Sequence, residues 1–322
     1  MSGEGTCVMA DPQVAGGVLV TGSAGFIGSH LLGHLAAGGR RVTGVDRRDP
    51  AVADHGARVR QVVGDLRSIP LAPLLEGVST VVHLAAIPGV RPSWREFDDY
   101  VECNLLVTRR LLEACHAAGV ARLVIASSSS VYGEVAGLPM AESRTPAPAS
   151  PYAVTKLAAE QLALAYARRP GSRLSTVALR FFTVYGPGQR PDMLIHRLIT
   201  AALTGSEIAI YGDGGARRDF IYVDDVVRAV SRAMDAPVDS GTFNLGTGRN
   251  VSVGELISLV STLAGSAPQV VHQDRKAGDV GFTLADVSRT ADSLGFRATT
   301  DLAEGLRRSI EARRRQLAEI GA

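Results

Sequence analysis

Val18-Leu19-Val20-Thr21-Gly22-Ser23-Ala24-Gly25-Phe26-Ile27-Gly28 is the stretch whose reading decides the fold. A short β-rich run enters a glycine turn directly, and Leu31, Leu32 and Leu35 then follow at helical spacing to Gly38-Gly39. Strand, glycine turn and helix in that order open a βαβ unit. The glycines permit a tight turn and a close backbone approach, and the helix N-terminus faces a pyrophosphate. The spacing is GxxGxxG rather than the commoner GxGxxG, and a glycine turn alone is weak ground. Candidate dinucleotide contacts here are Gly22, Ala24, Gly25, Phe26, Ile27 and Gly28.

The strands that follow extend the unit. Arg41 to Val45 reads as a second strand ending at Asp46, about two dozen residues past Gly22. A carboxylate there holds the adenine ribose hydroxyls and repels a 2′-phosphate, which favours NAD over NADP. Arg47 and Arg48 come next and tolerate that phosphate, so the preference is not absolute. Val59 to Val63 is a third strand, with Asp65 placed to meet the adenine amino group and Leu66 beside it. Thr80 to Ala86 is a fourth, whose small Ala85-Ala86 end lets a cofactor lie against backbone, with Leu84 a further contact; His83 within it reads as a core histidine. One long helix is expected from Phe97 to Ala118. Arg122 to Ala126 is a fifth strand opening into Ser127-Ser128-Ser129-Ser130, hydroxyls at the strand end where open α/β sheets bind ligands.

Ser150-Pro151-Tyr152-Ala153-Val154-Thr155-Lys156 reads as a helix start, with a serine cap and proline in the first turn. Tyr152 and Lys156 are four apart and share a helix face. A phenol is a poor base, with a free pKa of ~10. A neighbouring ammonium and the helix N-terminus both favour its phenolate. Lysine is an unusual choice in this chain, since only Lys156 and Lys276 stand among 34 basic residues. Leu174 to Leu179 is a sixth strand. Beyond it lie shorter elements, with helices near 192–204, 223–235, 253–264 and 302–318 and strands near 207–211, 219–222, 242–245 and 269–271.

Composition narrows the class. With 322 residues, 46% hydrophobic and a net charge of +2, the chain is long enough for one large domain or two interleaved ones. It has no basic block that would suit a nucleic acid. Cys7, Cys103 and Cys115 show no metal or disulfide spacing. No signal peptide or membrane-length apolar run is seen, so a cytoplasmic protein is expected. The expected architecture is a doubly wound parallel α/β sheet with a smaller C-terminal α/β lobe. Residues 1–15 form a tail. A nucleotide-binding domain covers 16–180, completed by segments near 219–245. The lobe covers 181–322.

These motifs together identify the chain as a member of the extended short-chain dehydrogenase/reductases that act on nucleotide sugars. Thr21 to Gly28, Ser128 and Tyr152 to Lys156 carry the resemblance. Asn104, Arg180 to Pro187, Arg218 to Asp225 and Asn244 to Gly248 extend it over nearly the whole chain. The resemblance implies a Rossmann-type fold, tightly held NAD regenerated at each turnover, a UDP-sugar substrate and a homodimer formed through the helices near 97–118 and 150–167. It assigns catalysis to Ser128, Tyr152 and Lys156: Tyr152 takes the sugar hydroxyl proton, Ser128 steadies the same oxygen, and Lys156 lowers the phenol pKa and anchors the nicotinamide ribose. Asn104 joins the implied cofactor contacts.

The same resemblance bears on the reaction. The dehydratases carry acids where Ser129 and Ser130 stand, and the decarboxylases carry Glu at the Ser130 position. What remains is a 4-epimerase, which needs no additional acid or base. Gly89 to Trp94 and Thr183 to Met193 resemble UDP-glucuronate 4-epimerases. Arg190 is then the candidate for the C6 carboxylate, assisted by Thr183, with Arg91 a weaker one; the other reading is that Arg190 pairs with Asp192. Ser129 is a further sugar contact. Arg218, Arg275, Tyr211 and Asp279 are candidates for the diphosphate, uracil and ribose, with Lys276 a rival to Arg275.

Overall fold

The computed structural model describes residues 16–49, 58–134, 137, 139–274 and 280–320. The expected N-terminal tail, and Arg275, Lys276 and Asp279, lie outside the described residues. The first half runs β1 (Gly17–Thr21), α1 (Phe26–Ala37), β2 (Val42–Asp46), β3 (Val59–Val63), β4 (Val78–His83), α2 (Phe97–Tyr100), α3 (Val107–Ala118), β5 (Arg122–Ser128) and α4 (Pro151–Ala167). Then come β6 (Ser175–Phe181), β7 (Thr183–Tyr185), α5 (Leu194–Thr204), β8 (Glu207–Tyr211), β9 (Arg217–Arg218), β10 (Phe220–Tyr222) and α6 (Val223–Asp235). The chain closes with β11 (Gly241–Leu245), β12 (Val251–Ser252), α7 (Val253–Ala264), β13 (Gln269–Gln273), α8 (Ser288–Leu294) and α9 (Leu302–Ile320).

Seven strands form one parallel sheet in the order β11-β6-β5-β4-β1-β2-β3. From β1 the chain builds outward through β2 and β3. It then returns to β4 on the other side of β1 and builds the opposite way. The order therefore switches between β1 and β4, which opens a crevice at the strand carboxyl ends. The first strand is apolar along its length because helices cover both faces of the sheet: Val18, Leu19 and Val20 are all at most 1% exposed. On one face α3 and α4 pack Leu111, Leu112, Ala159 and Ala163 against Leu19, Val81 and Ile125. On the other, α1 and α6 share a core with α5, α7 and α9. The late strand β11 pairs with β6 in register, Leu245 beside Phe181. The C-terminal segment thus contributes an edge strand and a covering helix to the sheet. The remaining strands make two-stranded pairs outside that sheet: β10 with β7, β12 with β9, and β13 with β8.

The single helix expected over 97–118 is divided. A π-helical stretch, Val101–Leu106, separates α2 from α3 and carries the buried Asn104. Helix α8 and the short strands β7, β9 and β12 have too few residues to show a periodicity.

Candidate active site

One cavity of about 1180 Å³ runs from the glycine turn, past the carboxyl ends of β4 and β5, to the lobe. The turn is shaped for close approach. Gly22 has φ +72°, and a Cβ there would lie 2.7 Å from the Ala85 nitrogen. A Cβ on Gly28 would sit against the Gly22 carbonyl oxygen, so α1 packs on the turn only through glycine. Helix α1 begins with neither a side-chain cap nor an acid in its first turn, which suits an approaching anion. Asp46, at the end of β2, accepts from the Ala24 nitrogen at 3.1 Å and the Arg48 nitrogen at 3.0 Å. These features fit a dinucleotide. Ala24, Gly25, Phe26, Ile27, Arg47, Asp65, Leu66, Leu84, Ala85 and Ala86 lie on the same wall. Asp65 is gripped by Arg67, which also reaches Glu102, and this holds its carboxyl below the usual range.

Asn104, the remaining expected cofactor contact, stands apart from these. It is 2% exposed and off the cavity wall. Its Oδ1 accepts from the Ile87 nitrogen at 2.7 Å, and its amide donates to the Ile87 carbonyl and to Thr155 Oγ1. These three bonds tie the loop after β4 to α4. It acts behind the wall.

Ser128, Tyr152 and Lys156 meet in the centre. Ser150 caps α4 by accepting from the Ala153 nitrogen. The Tyr152 nitrogen donates to Ser93 Oγ at 3.0 Å, and Tyr100 sets its ring edge-on at 6.2 Å. Ser128 Oγ accepts from both the nitrogen and the hydroxyl of Ser130, at 3.2 and 2.8 Å. That leaves its own proton for another acceptor, and Ser128 is close enough to act on the Tyr152 phenol. Burial pushes the Tyr152 phenol up, while the Ser128 bond and the Arg190 charge pull it down. Burial pushes Lys156 down to about 8, opposed by Glu160. His83 is the core residue expected. It sits between Thr21 Oγ1 at 2.7 Å and Thr108 Oγ1 at 3.0 Å, and burial drives it down to about 3, so it stays neutral.

Toward the lobe the cavity is lined by Ser129, Thr183, Arg91, Arg190, Tyr211 and Arg218. Arg190 is held by Asp192, the second of the two readings of this residue, with two bonds of 2.9 and 2.8 Å. The Arg91 guanidinium lies 4.3 Å from the centroid of the Tyr211 ring, on a face a base would use. Arg218 donates to the carbonyls of Arg217 and Gly281. Ser130, Ser93 and Tyr100 were not read as site residues. Ser130 is one of the four strand-end hydroxyls and stands where related enzymes carry an acid, and the other two are brought to Tyr152 by the path of the loop after β4.

The model of the family described as "NAD dependent epimerase/dehydratase family" matches residues 18–246. A Bacillus subtilis (strain 168) protein named "Uncharacterized UDP-glucose epimerase YtcB" is 39% identical over 91% of this chain and 96% of its own. The solved structure of MoeE5 in complex with UDP-glucuronic acid and NAD is 54% identical, with a TM-score of 0.90 over 94% of this chain and 100% of that one. MoeE5 is also solved with UDP-glucose and NAD. The UDP-glucuronic acid 4-epimerase of Bacillus cereus, solved with UDP-glucuronic acid and NAD, is 36% identical, with a TM-score of 0.87 over 93% and 99% of the two chains. Among the described residues no helix is long and apolar enough to cross a membrane.

Proposed function

The chain belongs to the NAD dependent epimerase/dehydratase family, and we propose that within it this protein interconverts UDP-glucuronate and UDP-galacturonate. The coarser activity, NAD-dependent 4-epimerisation of a UDP-sugar, is supported by the UDP-glucuronate 4-epimerases among its relatives. Gly22 to Gly28, Asp46 and the Leu84 to Ala86 edge would hold the NAD. When bound, NAD supplies a reversible hydride acceptor for the sugar C4. Tyr152 takes the proton from the C4 hydroxyl and returns it once the opposite face of the sugar is presented. Ser128, steered by Ser130, steadies that oxygen as charge develops. Lys156 favours the phenolate.

Arg190 carries the choice of sugar. It lines the same cavity as Tyr152, close enough to bias the phenol, and it presents two parallel donors that already grip a carboxylate, that of Asp192. Oxidation at C4 of glucuronate makes a β-keto acid, which loses carbon dioxide when the breaking bond aligns with the carbonyl π system. A fork of two bonds on the C6 carboxylate holds it out of that alignment. Ser129 and Ser130 also leave no acid there for dehydration or decarboxylation. UDP-glucose is the second reading, favoured by the MoeE5 complex with it and by the name of the B. subtilis relative. A homodimer is part of the proposal: Leu106, just before α3, and Val154 on α4 are large apolar side chains, each 45% exposed.

The test is NMR of UDP-glucuronate incubated with the protein without added NAD. UDP-galacturonate is expected. UDP-xylose, or turnover of UDP-glucose alone, would reject the assignment.

A further inference from the structure

A buried carboxylate stands behind the Tyr152–Lys156 pair. Tyr152, Lys156 and Glu160 follow at four-residue intervals on α4 and so form one stripe. Lys156 is 6% exposed and Glu160 0%. Glu160 Oε2 accepts from Ser127 Oγ at 2.6 Å and Arg180 Nε at 3.0 Å, and Oε1 accepts from Arg180 Nη2 at 2.7 Å. Arg180, on β6, is itself buried, with its guanidinium 4.7 Å from the centroid of the Tyr132 ring. Tyr132 in turn donates to Asn244 Oδ1 at 2.6 Å. Ser127 immediately precedes Ser128.

Two buried cations thus share one buried anion. A buried ammonium sheds its proton unless an opposite charge stands near. Apart from burial, Glu160 supplies the charge that acts on Lys156. His83, facing from β4, is neutral. Tyr152 shares the α4 stripe, and its phenol is pushed up by burial. Arg180 from β6 is spent on Glu160, with Tyr132 behind it and Glu142 acting on Tyr132. An apolar pair of the same volume would pack this place about as stably as a buried ion pair. Stability therefore does not account for a carboxylate at this point.

We propose that Glu160 is a positioning residue of the reaction: its carboxylate, bound by Arg180 and Ser127, holds Lys156 as the ammonium beside Tyr152. This rests on the reading of Ser128, Tyr152 and Lys156 as the reacting set. Burial already draws Lys156 down, and the Glu160 charge is what opposes it. Without that charge the ammonium, and its pull on the phenol, is lost at lower pH.

The test follows kcat and KM of the NAD-loaded protein on a UDP-sugar it turns over, from about pH 6 to 10. Wild type is compared with Glu160→Gln and Ser127→Ala. Glutamine keeps the volume and an acceptor for Ser127 but removes the charge. The high-pH limb of kcat should move down by about one unit or more in Glu160→Gln, with KM little changed. It should stay in place in Ser127→Ala, which loses a hydrogen bond and keeps the charge. Superimposed limbs in wild type and Glu160→Gln overturn the proposal. An equal displacement in Ser127→Ala does so too, because it assigns the effect to packing. Should Glu160→Gln not fold, Glu160→Gln/Arg180→Met removes both charges of the ion pair and carries the same measurement. Lys156→Met separates the two levels. Full activity sinks the reacting set itself, whereas an inactive Lys156→Met with an unmoved Glu160→Gln limb sinks only the role of Glu160.

Discussion

The Arg190 guanidinium holds the Asp192 carboxylate through two parallel bonds, Nε to Oδ1 at 2.9 Å and Nη2 to Oδ2 at 2.8 Å. The arginine on the cavity wall is therefore set, by a residue two positions on, in the orientation that grips a carboxylate. Asp192 is two-thirds exposed and free to swing toward solvent. Under the proposed assignment a substrate carboxylate would replace it like for like, and a neutral C6 hydroxyl would not.

Arg190→Ala should lower kcat/KM for UDP-glucuronate by roughly 10- to 150-fold, the value of one or two charge-assisted hydrogen bonds. UDP-glucose turnover, where measurable, should change much less. Asp192→Asn removes the internal competitor and should lower KM for UDP-glucuronate by about 2- to 5-fold, as befits an exposed ion pair. Steady-state kinetics on both sugars checks the pair. Equal losses on both in Arg190→Ala would reduce Arg190 to a loop anchor.

Tyr152→Phe removes the proton carrier and leaves the ring in place against Tyr100. It should cost about 10²- to 10⁴-fold in kcat while NAD stays bound. Ser130→Ala leaves the Ser128 hydroxyl free to turn, and should cost about 10-fold in kcat with KM nearly unchanged. Wild-type kcat in Ser130→Ala would show that Ser128 needs no such steering.

Gly28→Ala places a Cβ against the Gly22 carbonyl. Either the turn or α1 must shift, at a cost of about 1–3 kcal/mol. Tm should fall, and the protein should come through purification with less nicotinamide, read by absorbance after denaturation. Retention of wild-type NAD content would mean that the turn is not the cofactor seat.

His83 has a folded pKa of about 3, well below that of a free histidine. Between pH 6.5 and about 3 the unfolded chain binds the proton and the folded one does not. Its contribution to stability is therefore complete above pH 6.5 and is lost as pH falls toward about 3. Tm of His83→Gln should fall less steeply with acid than that of wild type. Parallel curves would show that His83 protonates in the folded state.

How far the sequence could be read depends on whether a signal is local. The turn at Gly22 to Gly28, Asp46 at the end of β2 and the four-residue spacing of Tyr152 and Lys156 are backbone-scale rules visible in a few consecutive residues. Asn104 belongs to the same run of motifs, but what its side chain touches depends on what lies opposite. The break at Val101–Leu106 turns it inward to Ile87 and Thr155. Ser130 is legible as a strand-end hydroxyl and as the absence of an acid; that its hydroxyl falls on Ser128 depends on how the chain bends after β5.

By itself the sequence determined the parallel sheet, the crevice at its switch point and the residue types brought there, because strand, turn and helix preferences act over a few neighbours. Only the tertiary structure decided how those groups are biased. It set Arg190 on Asp192, Ser130 on Ser128, and Glu160 between Lys156 and Arg180. The last of these joins α4 to β6, twenty residues apart along the chain. Its consequence, a charge held in a place without water, exists only once the core has closed around it.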